Sequence, residues 1–148
     1  MALTGVPNPF TRPGCRAELE TLQDLNIDAD DKETAEAAFR RALVSGHESL
    51  FAEGGSADNT FTIRPKWLRW EPGQLVMGYA DDQTPAEAIV EVDVLSPKGY
   101  LVDRVTTVTT VVPDLLVSRT EGIRMRSALG KAGSAINRYL SDRWTCAH

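Results

Sequence analysis

The sequence predicts an α+β fold, in which N-terminal helices and a long amphipathic C-terminal helix flank an antiparallel β-meander of about five strands. Apolar residues recur at helical spacing up to about residue 52 and again after residue 118, whereas they alternate with polar residues in between. The 148 residues suit one domain, predicted to span residues 15–148. Residues 1–14 contain three prolines and two glycines, which predicts an extended arm.

Two helices are predicted before the sheet. Leu19, Leu22 and Leu25 recur at helical spacing and predict a first helix over residues 15–25. A second helix is predicted to begin at the acidic residues 28–31 and to run to about Ala52. Its apolar stripe consists of Ala35, Phe39, Ala42, Leu43, Leu50 and Phe51. Gly46 would lie inside this helix, which indicates a close packing neighbour.

The sheet is predicted to begin near Thr60 and to contain two tight turns. Residues 71–74, Glu-Pro-Gly-Gln, suit a type II turn between strands at 67–70 and 75–79. Thr84 and Pro85 could start one helical turn before a half-buried strand over residues 88–95, which alternates valines with acidic residues. Residues 96–99 form the second turn, and the return strand is predicted over residues 100–112.

That return strand contains the repeat Val-Thr-Thr-Val-Thr-Thr-Val at residues 105–111. A period of three places valines on both faces of an extended strand. Two explanations remain open: a β-bulge that corrects the register, or a strand that is contacted on both sides, which would indicate a neighbouring subunit.

The final helix is predicted from a capping box of Ser118 and Glu121 to about Trp144. Its apolar stripe contains Met125, Leu129, Ala132, Ile136, Tyr139 and Leu140, and its opposite side carries Arg124, Lys131 and Arg138 at intervals of seven. From residue 119 onward the net charge is +4, while the preceding residues carry −9. This basic tail either neutralises the acidic body or faces a separate partner.

Composition and charge narrow the class of protein. No apolar stretch is long enough to cross a bilayer, and residues 1–13 lack the features of a secretory signal, so we expect a cytoplasmic protein that does not bind membranes. Cys15 and Cys146 are expected to be reduced thiols. The excess of Arg over Lys, 12 to 4, indicates a bacterium or a phage as the source. The net charge of −5 disfavours nucleic-acid binding.

No catalytic, metal or cofactor motif is found. His47 and His148 have no catalytic partner in the sequence, and no spacing typical of zinc or calcium ligands occurs. The stretch Gly130-Lys131-Ala132-Gly133-Ser134 lacks the spacing of a phosphate-binding loop, and its small residues instead predict a close approach of another backbone. We therefore expect no cofactor and favour a non-enzymatic role.

The candidate interaction residues lie in the first hairpin and the last helix. Basic and aromatic side chains interleave in the hairpin, a mixture that suits a protein interface or single-stranded nucleic acid. The predicted contact residues are Arg64, Lys66, Trp67, Arg69, Trp70, Tyr79, Arg124, Lys131 and Arg138.

Two functions are consistent with these features. The favoured one is a structural or interaction protein that self-associates or docks on a protein partner, such as a phage or bacterial assembly component. The alternative is a protein that binds single-stranded DNA through the basic helix and the Trp/Arg hairpin.

Overall fold

The computed structural model describes residues 16–23, 29–51, 57–74, 84–113 and 120–142. The predicted arm at residues 1–14, both cysteines, the strand at 75–79 with Tyr79, and Ser118 lie outside the described residues.

Within the described residues, two α-helices and one four-stranded sheet confirm the α+β class. The strands follow chain order across the sheet: β1 (Arg16–Leu19), β2 (Thr60–Glu71), β3 (Ala86–Leu95) and β4 (Leu101–Val111). The pairs β2–β3 and β3–β4 are antiparallel, whereas β1 lies parallel to β2. The prediction of about five antiparallel strands is therefore wrong for this part of the chain.

The first predicted helix is instead the start of the sheet, so a single α-helix precedes β2 among the described residues, followed by a short 3-10 turn at Ala57–Asn59. Ala17 and Leu19 alternate into the core, with 4% and 6% of their surface exposed, and they pair with Phe61 and Ile63. Backbone bonds continue this pairing beyond β1, because the Gln23 carbonyl accepts from the amide of Trp67. Three leucines cover too short a window to separate helical from extended spacing.

Helix α1 (Ala29–Val44) buries Ala35, Phe39 and Leu43, as its apolar stripe predicts. It ends eight residues before the predicted end at Ala52. Gly46 has a φ of +81°, a left-handed conformation that stops a helix and that glycine adopts without strain. Leu50 is still buried, but it lies in the turns that follow the helix.

The middle strands follow the predicted alternation. In β3 every second residue from Ala86 to Val94 is buried. Gly73 has a φ of +72°, as its predicted type II turn requires, and Gly99, the last residue of the second predicted turn, has a φ of +89°. A β-carbon on Gly73 would lie 2.5 Å from the Thr84 carbonyl oxygen, so this turn needs glycine. Thr84 forms an isolated bridge with Gln74 in place of the predicted helical turn.

Helix α2 (Glu121–Ser141) is the long amphipathic helix expected from the sequence. Its N-cap is Thr120, whose hydroxyl accepts a bond from the Ile123 amide at 3.2 Å, so the prediction of Ser118 as the cap is wrong. Met125, Leu129 and Ile136 share one core with α1 and with the buried face of the sheet. Both helices therefore cover the same face, and neither is long and apolar enough to cross a bilayer.

Candidate interaction surfaces

Strand β4 forms one edge of the described sheet, since β3 is its partner on one side and no described strand lies on the other. The register shifts where Val94 faces Asp103 and Leu95 faces Leu101, which makes Val102 the extra residue of a bulge. From Val105 to Val111 the register is regular. The bulge therefore does not correct the three-residue period of the repeat.

The two faces of β4 consequently differ. Val105 and Val111 lie opposite the buried Val92 and Ala86, on the side of the helices. Val108 lies opposite Ile89 on the outer face and is 61% exposed. The valine at the centre of the repeat therefore faces away from the core that the described residues form.

Charged side chains pair across the outer face of the sheet. The Arg64 guanidinium lies 2.6 Å from Glu20, and the Arg104 guanidinium lies 2.6 Å from Asp93 and 3.6 Å from Glu91. Hydrogen bonds with Glu20 and Asp93 raise the pKa values of Arg64 and Arg104, respectively. These charged side chains of the outer face therefore form ion pairs within the chain.

The predicted Trp/Arg hairpin surface is divided between the two faces of β2. Trp67 is only 5% exposed and packs edge-on against Trp70, with a ring separation of 5.6 Å. The Trp70 indole donates to Glu121 at the start of α2. Arg64, Lys66 and Arg69 instead align with the outer-face residues of β3, and Arg69 pairs with Glu71. Bases could not stack on a Trp67 ring that is enclosed in the core.

The three basic residues of α2 also have different environments. Arg124 is buried, and its Nε donates to the Pro72 carbonyl at 2.8 Å, which ties α2 to the end of the hairpin. The Lys131 Nζ donates to the Thr110 carbonyl at 3.2 Å. Arg138 is exposed. The predicted basic stripe is therefore reduced to Lys131 and Arg138 at the surface.

Lys131 and Arg138 line an open groove of about 570 Å³ between α2 and the edge of β4. Its other polar lining comes from Ser134, Thr109 and Thr110. Among the described residues, no group of His, Cys, Asp or Glu side chains is arranged to bind a metal ion. The groove combines a polar helix face with strand backbone, a combination suited to holding a polypeptide.

The sequence feature that distinguishes this edge strand is the period of three in the repeat at residues 105–111. The nine predicted contact residues include none from β4, because the repeat itself has no charged or aromatic side chain.

Comparison with known proteins identifies the fold but no family. No family model and no curated protein matches the sequence. A Xanthomonas campestris protein of the DUF330 family aligns with a TM-score of 0.59 and 9% identity, over 95% of this chain and 89% of that one. A minor lipoprotein from Acinetobacter baumannii aligns with a TM-score of 0.54 and 16% identity, over 87% and 94%.

A third solved structure is a dodecamer of a PelC variant from Paraburkholderia phytofirmans. It aligns with a TM-score of 0.52 and 14% identity, over 98% of this chain and 99% of that one. At such low identities the likeness establishes a shared fold.

Proposed function

We propose that this protein is a non-enzymatic assembly component that self-associates or docks on a protein partner, in a bacterium or a phage. The observation that carries this proposal is the edge strand β4, which exposes uncharged β-branched residues beside an open groove. Sheet edges of this kind pair readily with another chain unless they are protected. The dodecameric structure of PelC, which has the same fold, supports self-association.

The buried tryptophan weighs against the DNA-binding alternative. Because Trp67 lies in the core and the arginines of β2 lie on the other face, the hairpin offers no combined stacking and phosphate surface. The exposed cations of α2, which are Arg126, Lys131 and Arg138, would have to bind phosphates on a chain of net charge −5.

The experiment is light scattering coupled to gel filtration over a wide range of protein concentration, with affinity capture from a bacterial lysate alongside. We expect a mass that rises to multiples of 16.2 kDa. A protein that stays monomeric at the highest concentration and captures no partner would refute the proposal. Binding to single-stranded DNA that weakens steeply with salt would instead favour the alternative.

Cytoplasmic localisation remains a prediction. The name of the Acinetobacter baumannii neighbour, a minor lipoprotein, supports the cell envelope as the competing location. Fractionation of the native host separates the two, because a cytoplasmic protein stays in the soluble fraction whereas a lipid-anchored one sediments with membranes.

A further inference from the structure

The two edges of the described sheet differ in how far the same chain covers them. At the β1 edge, the Ala17 amide donates to the Leu50 carbonyl at 2.9 Å, and Arg40 donates to the Leu19 carbonyl at 3.1 Å. These contacts occupy two backbone groups that a new strand would need on the four-residue β1, whereas on the eleven-residue β4 the corresponding contact is the bond from Lys131 to the Thr110 carbonyl. If two copies join edge to edge through described strands, β4 is therefore the strand that remains for pairing.

The backbone of β4 presents both donors and acceptors at this edge. The Thr110 carbonyl accepts a bond from Lys131 on α2, so it points away from β3. Because successive residues of a strand direct their N–H and C=O groups to opposite sides, Val108 and Thr106 point the same way as Thr110. An incoming antiparallel strand could pair with the backbone groups of Thr106 and Val108. At Thr110 it would share the carbonyl with Lys131 or displace that side chain, since a carbonyl oxygen can accept two bonds.

The usual protection of an edge strand is confined to the ends of β4. Natural sheets protect their edges with charges, prolines and bulges. Here the bulge lies at Val102, a charge at Arg104 and a proline at Pro113. Between them the repeat Val105 to Val111 has none of these, over a length of roughly 24 Å at about 3.4 Å per residue.

The repeat reads the same in both directions about Val108. An antiparallel partner runs in reverse, so a second β4 aligned on Val108 would place valine opposite valine and threonine opposite threonine at every position. The pairs are Val105 with Val111, Thr106 with Thr110, Thr107 with Thr109, and Val108 with its own copy. Such β-branched and Thr–Thr pairs stabilise neighbouring strands.

We propose that two copies of this chain join their β4 edges antiparallel about a two-fold axis at Val108, which makes one continuous sheet from the two four-stranded sheets. This inference rests on the proposed self-association and names its interface. It also explains the period of three. The two copies of Val108 meet on the outer face of the sheet, whereas Val105 and Val111 of opposite copies meet on the helix side.

The salt dependence of binding distinguishes a second copy of this chain from an acidic peptide as the occupant of the groove. A second copy brings its own Lys131 and Arg138 toward the axis, so screening of this repulsion should make self-association stronger as salt rises. An acidic peptide attracted by the same cations would bind more weakly as salt rises. Self-association that weakens steeply with salt would therefore contradict the inference.

Opposite charges at the axis provide the decisive experiment. Val108 is 61% exposed, so the folded monomer accommodates Val108→Lys or Val108→Glu. In each variant alone, like charges lie directly opposite each other, and we expect the dissociation constant to rise roughly 5- to 30-fold. In an equimolar mixture of the two variants, Lys faces Glu and the dimer should return. Sedimentation of each sample over a dilution series measures these changes.

Leu68→Lys is the matched control. Leu68 is 46% exposed on β2, two strands away from β4, and the change adds the same charge. We expect this variant to dimerise like the natural protein, and melting curves verify that all variants fold. Equal weakening by Leu68→Lys and Val108→Lys would place the interface on the outer face and overturn the inference.

Two further outcomes separate this inference from the proposed function. If the natural protein self-associates but the Val108 variants associate just as well, the β4 interface is wrong and self-association stands. If the natural protein remains a monomer at every concentration, the interface is also wrong, and the proposed function then depends on the capture of a protein partner.

Discussion

Replacing Gly133 by Ala should destabilise the protein, whereas the same replacement three residues earlier, at Gly130, should stabilise it. Both glycines lie inside α2, where alanine is favoured over glycine by about 1 kcal/mol. At Gly130 a β-carbon would meet nothing within 4 Å, so the full gain should be realised. At Gly133 the same atom would lie 2.5 Å from the Phe39 carbonyl oxygen of α1.

The size of the Gly133 effect follows from what the new methyl group meets. Its nearest neighbours include the Phe39 carbonyl oxygen and, at 3.1 Å, the Leu43 amide nitrogen, which are backbone atoms that move only if α1 moves. Overpacking of this kind costs up to about 3 kcal/mol. After the helix-propensity gain of about 1 kcal/mol, a net loss of about 2 kcal/mol remains.

Thermal and urea unfolding of the two variants measure the difference directly. For a chain of this length, 1 kcal/mol shifts Tm by roughly 2 to 4 °C, so Tm should rise by that amount for Gly130→Ala and fall by about twice as much for Gly133→Ala. Equal stability of the two variants, or a Gly133→Ala variant more stable than the natural protein, would refute the close approach of α1 and α2.

Asn137 of α2 and Glu48, which follows α1, both bind backbone groups at or near the end of α1 and give further predictions. Asn137 donates to the carbonyls of Leu43 and Ser45 at 2.7 and 2.9 Å, so Asn137→Ala should lower the free energy of unfolding by about 1 to 3 kcal/mol in urea titrations. Asn137→Asp, which lacks the donor, should do no better, and its full stability would contradict this role. Hydrogen bonds from the backbone amides of Glu48 itself and of Gly46 lower the pKa of the Glu48 carboxyl below its ordinary 4.5. The ionised carboxylate therefore stabilises the folded protein above pH 4.5, and this stabilisation is lost as the pH falls through the lowered pKa. Tm should therefore fall less steeply below pH 4.5 for Glu48→Gln than for the natural protein, and identical slopes would exclude this contribution.

The elements that the sequence predicted well carry their pattern along their whole length. Buried and half-buried residues alternate along all ten residues of β3, and the apolar stripe of α2 recurs from Met125 to Leu140, so local periodicity alone separates strand from helix. The turns at residues 71–74 and 96–99 were predicted for a similarly local reason, since a proline followed closely by a glycine favours a turn. The predicted continuation of α1 beyond Val44 rested on Leu50 and Phe51 alone, and Gly46 interrupts the helix before them.

The interaction residues were harder to predict because a side chain does not reveal which face of a strand it occupies. Trp67 and Arg69 are two residues apart, a spacing that would place both on one face of a regular strand. The register shift between Trp67 and Arg69 leaves Leu68 as the extra residue, which separates the ring from the guanidinium. That shift depends on pairing with β3, and residue type alone does not encode it.

The sequence by itself determined the α+β class, the alternation of β3, the amphipathic α2 and the symmetric valine and threonine repeat, because each follows from the spacing of residues that are close in the chain. Only the tertiary structure decided that β1 is a strand parallel to β2 and that β4 lies at an edge of the described sheet. It also decided that Asn137 donates to carbonyls at and just after the end of α1, and that the backbone of α1 lies close to Gly133. These features depend on contacts between residues far apart in sequence, which periodicity does not record.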